Sequence, residues 1–165
     1  MIDLLKRIQG KVNRWRQFSW RERGLFLQAW FLLPPMVLGL QLSGFQKFQQ
    51  FLQNRIHGGT EQDQYSKKND DDVLVECFTI SKMIKVAARY SLITPKCLPK
   101  SLLLWWLLGR EGITSDLRLG AQKEKNQFEA HAWVEFKGVV INDSQLVKER
   151  YTTFNSSETD LGQVL

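Results

Sequence analysis

Three residues of this chain are of types that together can make or break acyl bonds: Cys97, His131 and Asp143. A cysteine attacks as its thiolate, and a free thiol at neutral pH is mostly protonated. Cys97 lies in "TPKCLPKSLLLWWLLGREGI", flanked by Lys96 and Lys100 at the mouth of an apolar run. A helix starting there would add about half a positive charge from its unpaired N–H groups. The nucleophile also needs a base, and the base needs an acceptor that orients it. Of the 2 histidines, His57 falls in a polar loop, where a lone histidine is ordinarily just solvated, and it is given no role. His131 sits in the middle of the alternating segment "FEAHAWVEF", and Asp143 closes the next one, "VVIND". Singly, Cys97 reads as core, His131 as a hydrogen-bonded sheet residue and Asp143 as a turn-former. Jointly, a cysteine at a helix start, a mid-strand histidine and an acid on the adjacent strand argue for a triad. A zinc site is disfavoured because the cysteines and histidines show no close ligand spacing. No phosphate-binding loop is present, and no cofactor is expected.

Whether His131 and Asp143 meet depends on register. With a two-residue loop, Lys137-Gly138, Phe136 faces Val139, and His131 and Asp143 point to opposite sides. With a three-residue loop, Phe136-Lys137-Gly138, a left-handed Gly138 forms a bulge. Then His131 faces Asp143, Trp133 faces Ile141, and Val134 faces Val140. The second register joins imidazole to carboxylate and is the one expected.

These side chains need a scaffold. Val73, Cys77, Ile80, Ile84, Ala87 and Ala88 mark a helix with one buried face, which makes Cys77 an inert thiol. A second helix begins at Cys97 or Leu98, because Pro99 is acceptable in a first turn and costly deeper in. Its run from Leu102 to Leu108 is apolar on every side, so it is central, and Gly109 or Gly112 ends it. The period then changes to two: residues 116–121, 128–136 and 139–143 read as three antiparallel strands. From Ser144 the pattern fades, and "NSSETD" looks frayed.

The first 56 residues read as helices. "SWRE" is a capping box with Ser19 as N-cap and Glu22 reaching back. The helix it opens should stop or kink before Pro34, and a later one carries Phe45, Phe48, Phe51, Leu52 and Ile56 on one stripe. That stripe is expected to pack rather than to form a groove or membrane face with Trp15, Phe18 and Trp20. The window 25–42 has borderline length for a membrane span. With Gln28, Gln41 and Pro34-Pro35 inside, it reads as a kinked, protein-packed helical pair. Residues 57–72 form a polar loop. The expected organisation is α+β: an N-terminal helical region (1–56), that loop, and a core (73–165) with a central helix on a small antiparallel sheet.

Composition narrows the class. The chain has 165 residues, 43% of them hydrophobic and 24% charged, enough for one packed domain or a small domain plus an appendage. Its 2 cysteines are too few for a disulfide scaffold, and reducing, cytoplasmic conditions are expected. The net charge of +6 is uneven: residues 1–56 hold nine Lys/Arg against two acids, the remainder fourteen against fifteen. Without a nucleic-acid motif, that pattern does not favour nucleic-acid binding. The opening "MIDLLKRIQGKVNRWRQ" carries charge throughout, and no signal peptide is expected.

The order Cys, His, Asp on helix, strand and strand resembles the transglutaminase-like branch of the papain-like cysteine enzymes. Residues 97–143, with Cys-Leu, a Leu/Trp-rich helix, Gly-Ile, Glu-Ala-His-Ala-Trp-Val-Glu and Asn-Asp, are similar to the core signature of the lasso-peptide biosynthesis B2 proteins. "SWRERGLFLQAWFLL" resembles that family's helical lead-in. Pro34-Pro35 and the 57–72 loop depart from it. The resemblance implies a cysteine leader peptidase, with Cys97 as nucleophile, His131 as general base and then acid, and Asp143 as orienter. Backbone N–H groups near Cys97 would hold the oxyanion, and Trp133 would wall the substrate cleft. Partners implied are a precursor peptide, a separate leader-recognition protein of the B1 type, and a macrocyclase of the C type. With the first 56 residues read as helices, no fused leader-binding module is expected. Rival readings are transglutamination or peptide ligation on the same triad, and a non-catalytic scaffold peripheral to a membrane.

Overall fold

Ser19 and Glu22 open the first helix by capping it reciprocally. The Ser19 N–H donates to Glu22 Oε2 at 2.9 Å, and the Glu22 N–H donates to Ser19 Oγ at 3.2 Å. Residues 18–56, 69–124 and 127–154 are described by the structure, a computed structural model. His57 and the "NSSETD" stretch lie outside the described residues. The elements are α1 (Trp20–Ile56), α2 (Asp70–Tyr90), α3 (Cys97–Arg110), β1 (Asp116–Glu124), β2 (Gln127–Phe136), β3 (Val139–Val140), α4 (Val147–Arg150) and β4 (Thr152–Phe154). The architecture is α+β, with three long helices against one antiparallel sheet of order β3-β2-β1-β4.

The break in α1 is not where proline suggested. Pro34 and Pro35 sit inside the helix, and the non-helical residue is Gly44, at φ 73° and ψ 169°. Proline removes ladder donors, but its own φ is helical. A φ of +73° is a conformation that glycine adopts without the Cβ clash other residues suffer. The second half folds back on the first, so that a Cβ at Gly39 would collide with the Phe48 ring. Leu25, Phe26, Ala29, Leu33, Met36 and Leu52 are buried. Phe45 and Phe48 are partly buried, and Phe51 stays exposed. By length and composition α1 is apolar enough to cross a membrane, with 28% of its most apolar window buried.

α2 starts at Asp70, inside the stretch read as loop, with Asp70, Asp71 and Asp72 in its first turn, where acids complement the helix dipole. Its buried face is Val73, Cys77, Ile80, Met83, Ile84 and Ala87. It is tied to α1 by the ion pairs Arg21–Glu76 (2.6 Å) and Lys82–Glu22 (3.1 Å), and by Trp30 Nε1 donating to the Tyr90 carbonyl at 3.0 Å.

α3 is the central helix, with Leu102, Leu103, Leu104, Leu107 and Leu108 all buried. Truncating one such leucine costs roughly 2–5 kcal/mol. At its end the Gly112 N–H bonds the Gly109 carbonyl and the Ile113 N–H bonds that of Leu108. This Schellman pattern buries Ile113 beside Leu108. One apolar cluster joins α1, α2 and α3 to Leu117, Val134, Phe136 and Ile141 of the sheet.

The sheet corrects the expected register. β2 and β3 pair as Glu135↔Val140 and Phe136↔Val139, around the two-residue turn Lys137-Gly138. Lys137 (φ 46°) and Gly138 (φ 81°) both have positive φ, the signature of a type I′ turn, whose twist matches the flanking strands. No bulge forms. Val134 and Ile141 therefore share the helix-facing core, while Trp133 and Val140 pack with Val147 in a small cluster on the other face. β3 is two residues long rather than five, and β4, which no period announced, closes the opposite edge against β1.

Candidate active site

α3 begins at Cys97, with Lys96 in the N-cap position in extended conformation and no acid in the first turn. Pro99 falls within that first turn, where its missing N–H breaks no ladder bond. Cys97 is partly exposed and reduced. Cys77, on the core face of α2, is 0% exposed, and burial pushes its thiol up to about 12. Desolvation of the charged form is the larger cause, and the negative charge of Glu76 adds to it.

His131 arrives from the middle of β2, opposite Gly120 of β1. Its Nε2 lies 2.6 Å from Asp143 Oδ2. Asp143 does not come from a strand. After Ile141 the chain leaves the sheet in a bend, and the bend, rather than a bulged register, swings the carboxylate to the imidazole. Burial by itself would raise the Asp143 carboxyl. The Ser144 N–H, which donates to Oδ1 at 2.7 Å, and the His131 ring outweigh it and hold the group below its ordinary value. An ionised carboxylate can only accept, so the hydrogen bond puts a proton on Nε2 and leaves Nδ1 as the other ring nitrogen.

Cys97, His131 and Asp143 line one open pocket of about 60 Å³. Lys85 and Lys100 are also on its wall, and neither is in an ion pair among the described residues. The pocket thus brings together a thiol at a helix start, an imidazole hydrogen-bonded to a carboxylate, and two lysines, of which Lys85 also acts electrostatically on Asp143. Among the described residues no group of three or more His, Cys, Asp or Glu gathers as a metal site would require.

Trp133, expected on the cleft wall, is 0% exposed and lies behind the imidazole. Its ring stacks at 6.3 Å from that of His131, and its Nε1 donates to Glu135 Oε1 at 2.8 Å. Tyr151, which no sequence motif marks, stacks on His131 at 5.1 Å. It reaches that place because β4 docks beside β1, and a three-residue strand leaves no periodic signal. Ser101 and Asn142 also line the pocket unannounced. The available hints were the i, i+4 spacing of Cys97 and Ser101, and the neighbourhood of Asn142 to Asp143.

The helix-then-sheet layout and this cysteine–histidine–aspartate pocket define a papain-like arrangement. The transglutaminase-like superfamily pattern matches residues 36–156, and the chain belongs to that superfamily, which includes enzymes built on a cysteine-centred triad. No curated protein and no solved structure matches the chain.

Proposed function

We propose that this protein is a cysteine peptidase that removes the leader from a ribosomally made lasso-peptide precursor, as its resemblance to the B2 proteins implies. The reading also has a separate B1-type protein presenting the leader and a C-type macrocyclase taking the freed N-terminus. The observation that carries the chemistry is the 2.6 Å His131–Asp143 hydrogen bond on the same pocket as Cys97 at the start of α3. His131 Nδ1 takes the thiol proton as sulfur attacks the scissile carbonyl, and Asp143 keeps the ring in that tautomer and stabilises the imidazolium. The protonated ring then gives its proton to the departing amine, leaving a thioester on Cys97. Water, deprotonated by the same nitrogen, attacks the thioester and releases the leader acid and the thiol. Backbone N–H groups at the start of α3 hold the oxyanion in both steps.

Superfamily membership favours one alternative, in which an amine replaces water as the acyl acceptor. Precursor incubated with this chain and a leader-binding partner, then weighed by mass spectrometry, separates the two. Hydrolysis gives leader and core whose masses sum to precursor plus one water. A product joined to an amine means transfer, and intact precursor under all partner conditions contradicts the peptidase reading.

A further inference from the structure

Resting on the reading of Cys97, His131 and Asp143 as one catalytic unit, we infer that Ser101 and Asn142 are positioning residues. They form a hydrogen-bonded clamp, buried at Ser101 and half-buried at Asn142, that sets the mutual alignment of those three side chains. Ser101 is 0% exposed and lies one turn along α3 from Cys97, on the same face. Its hydroxyl donates to the carbonyl of Ala132, the neighbour of His131, at 2.8 Å. It accepts from Nδ2 of Asn142, the neighbour of Asp143, also at 2.8 Å. The other end of the Asn142 amide, Oδ1, accepts the Val134 N–H at 2.8 Å. A hydroxyl has one proton to give, and an amide has distinct donor and acceptor ends. The network therefore has one consistent direction, and each of the three segments bearing a triad residue contributes an adjacent group to it.

The Val134 bond explains why the chain turns where it does. Ile141 donates to the Val134 carbonyl at 2.9 Å, as an antiparallel ladder requires. A continuing strand would return the Val134 N–H to the Ile141 carbonyl. The Asn142 side chain takes that N–H instead, so the ladder closes one residue early and the backbone is free to bend toward His131. The amide thus ends β3, anchors the bend to α3, and places the next residue, Asp143, at the imidazole.

The test uses the full chain with precursor and partner, and iodoacetamide as the thiol probe. In the unaltered protein, iodoacetamide should modify Cys97 faster than Cys77 from mildly acidic pH upward, and His131→Ala should abolish that low-pH arm. Ser101→Ala and Asn142→Ala should keep the far-ultraviolet dichroism and leave KM within about twofold, while kcat falls roughly 10- to 100-fold, because sub-ångström misplacement is expensive in a preorganised site. The low-pH arm of Cys97 alkylation should shrink with kcat, which loss of stability alone would not cause, and Ser101→Thr should restore both. Folded Ser101→Ala and Asn142→Ala chains with wild-type kcat and pH profile overturn the clamp and leave the triad standing. An unaltered protein lacking the low-pH arm overturns the triad, and the clamp with it. If the variants do not fold, the unaltered protein still decides: slow solvent exchange of the Asn142 side-chain amide protons by NMR supports the clamp, and free exchange contradicts it.

Discussion

The two cysteines make the sharpest contrast in the molecule. Cys77 lies mid-helix on the core face of α2, fully buried among Ile80, Met83 and Ile84, and its thiol is pushed up to about 12. Cys97 lies at the first position of α3, partly exposed, on a pocket shared with His131, Asp143, Lys85 and Lys100. The side chains are chemically identical, so the whole difference comes from placement. One site removes water and sets the Glu76 carboxylate nearby. The other supplies helix N–H groups, an oriented imidazole and positive charge. A core that excludes water silences a thiol, and the end of a helix opening on a pocket recruits one.

The contrast breaks most severely at the base. His131→Ala should lower precursor processing by roughly 10⁴-fold or more, since nucleophile and base act as a unit, and single-turnover assays with partner present measure it. Asp143→Asn leaves the shape but lets the ring adopt the wrong tautomer, and roughly 10²- to 10⁴-fold is expected to be lost in kcat. The same carboxylate gives a pH signature. Its pKa in the folded chain is held below the ordinary 3.8. Its contribution to stability is therefore present above that value and lost as pH falls through the folded pKa. Acid unfolding followed by dichroism should show this loss below about pH 4 in the unaltered chain and lack it in Asp143→Asn. At the silent site, Cys77→Ser places a hydroxyl in an apolar core and should cost roughly 1–3 kcal/mol. Calorimetry would register the fall in Tm, with processing per folded molecule unchanged.

Much of this was legible in the sequence where local rules govern. Pro99 and the apolar run fixed the start of α3, which is what puts Cys97 at a helix end. Ser19 and Glu22 announced the cap of α1, and the 3.6-residue period of Val73, Cys77, Ile80, Ile84 and Ala87 gave α2 its buried face. What escaped depends on how segments meet. The pairing of His131 with Asp143 was expected from a bulged register. It is achieved instead by a tight turn, a two-residue β3 and a bend held by Asn142, so the partners were legible and the route was not. Pro34-Pro35 outweighed Gly44 as a break signal, because proline's lost donor is visible in sequence and glycine's positive φ is set by the fold-back of Phe48 on Gly39. β4 and Tyr151 reach His131 only through tertiary docking of three residues, too few for any period to show.

Selective alkylation tests the central claim most directly. With iodoacetamide in limited amounts near neutral pH, peptide mapping should find Cys97 modified and Cys77 untouched, and processing of the precursor should fall in step with the modified fraction. Modification of Cys77 ahead of Cys97, or processing that survives complete modification of Cys97, would contradict it.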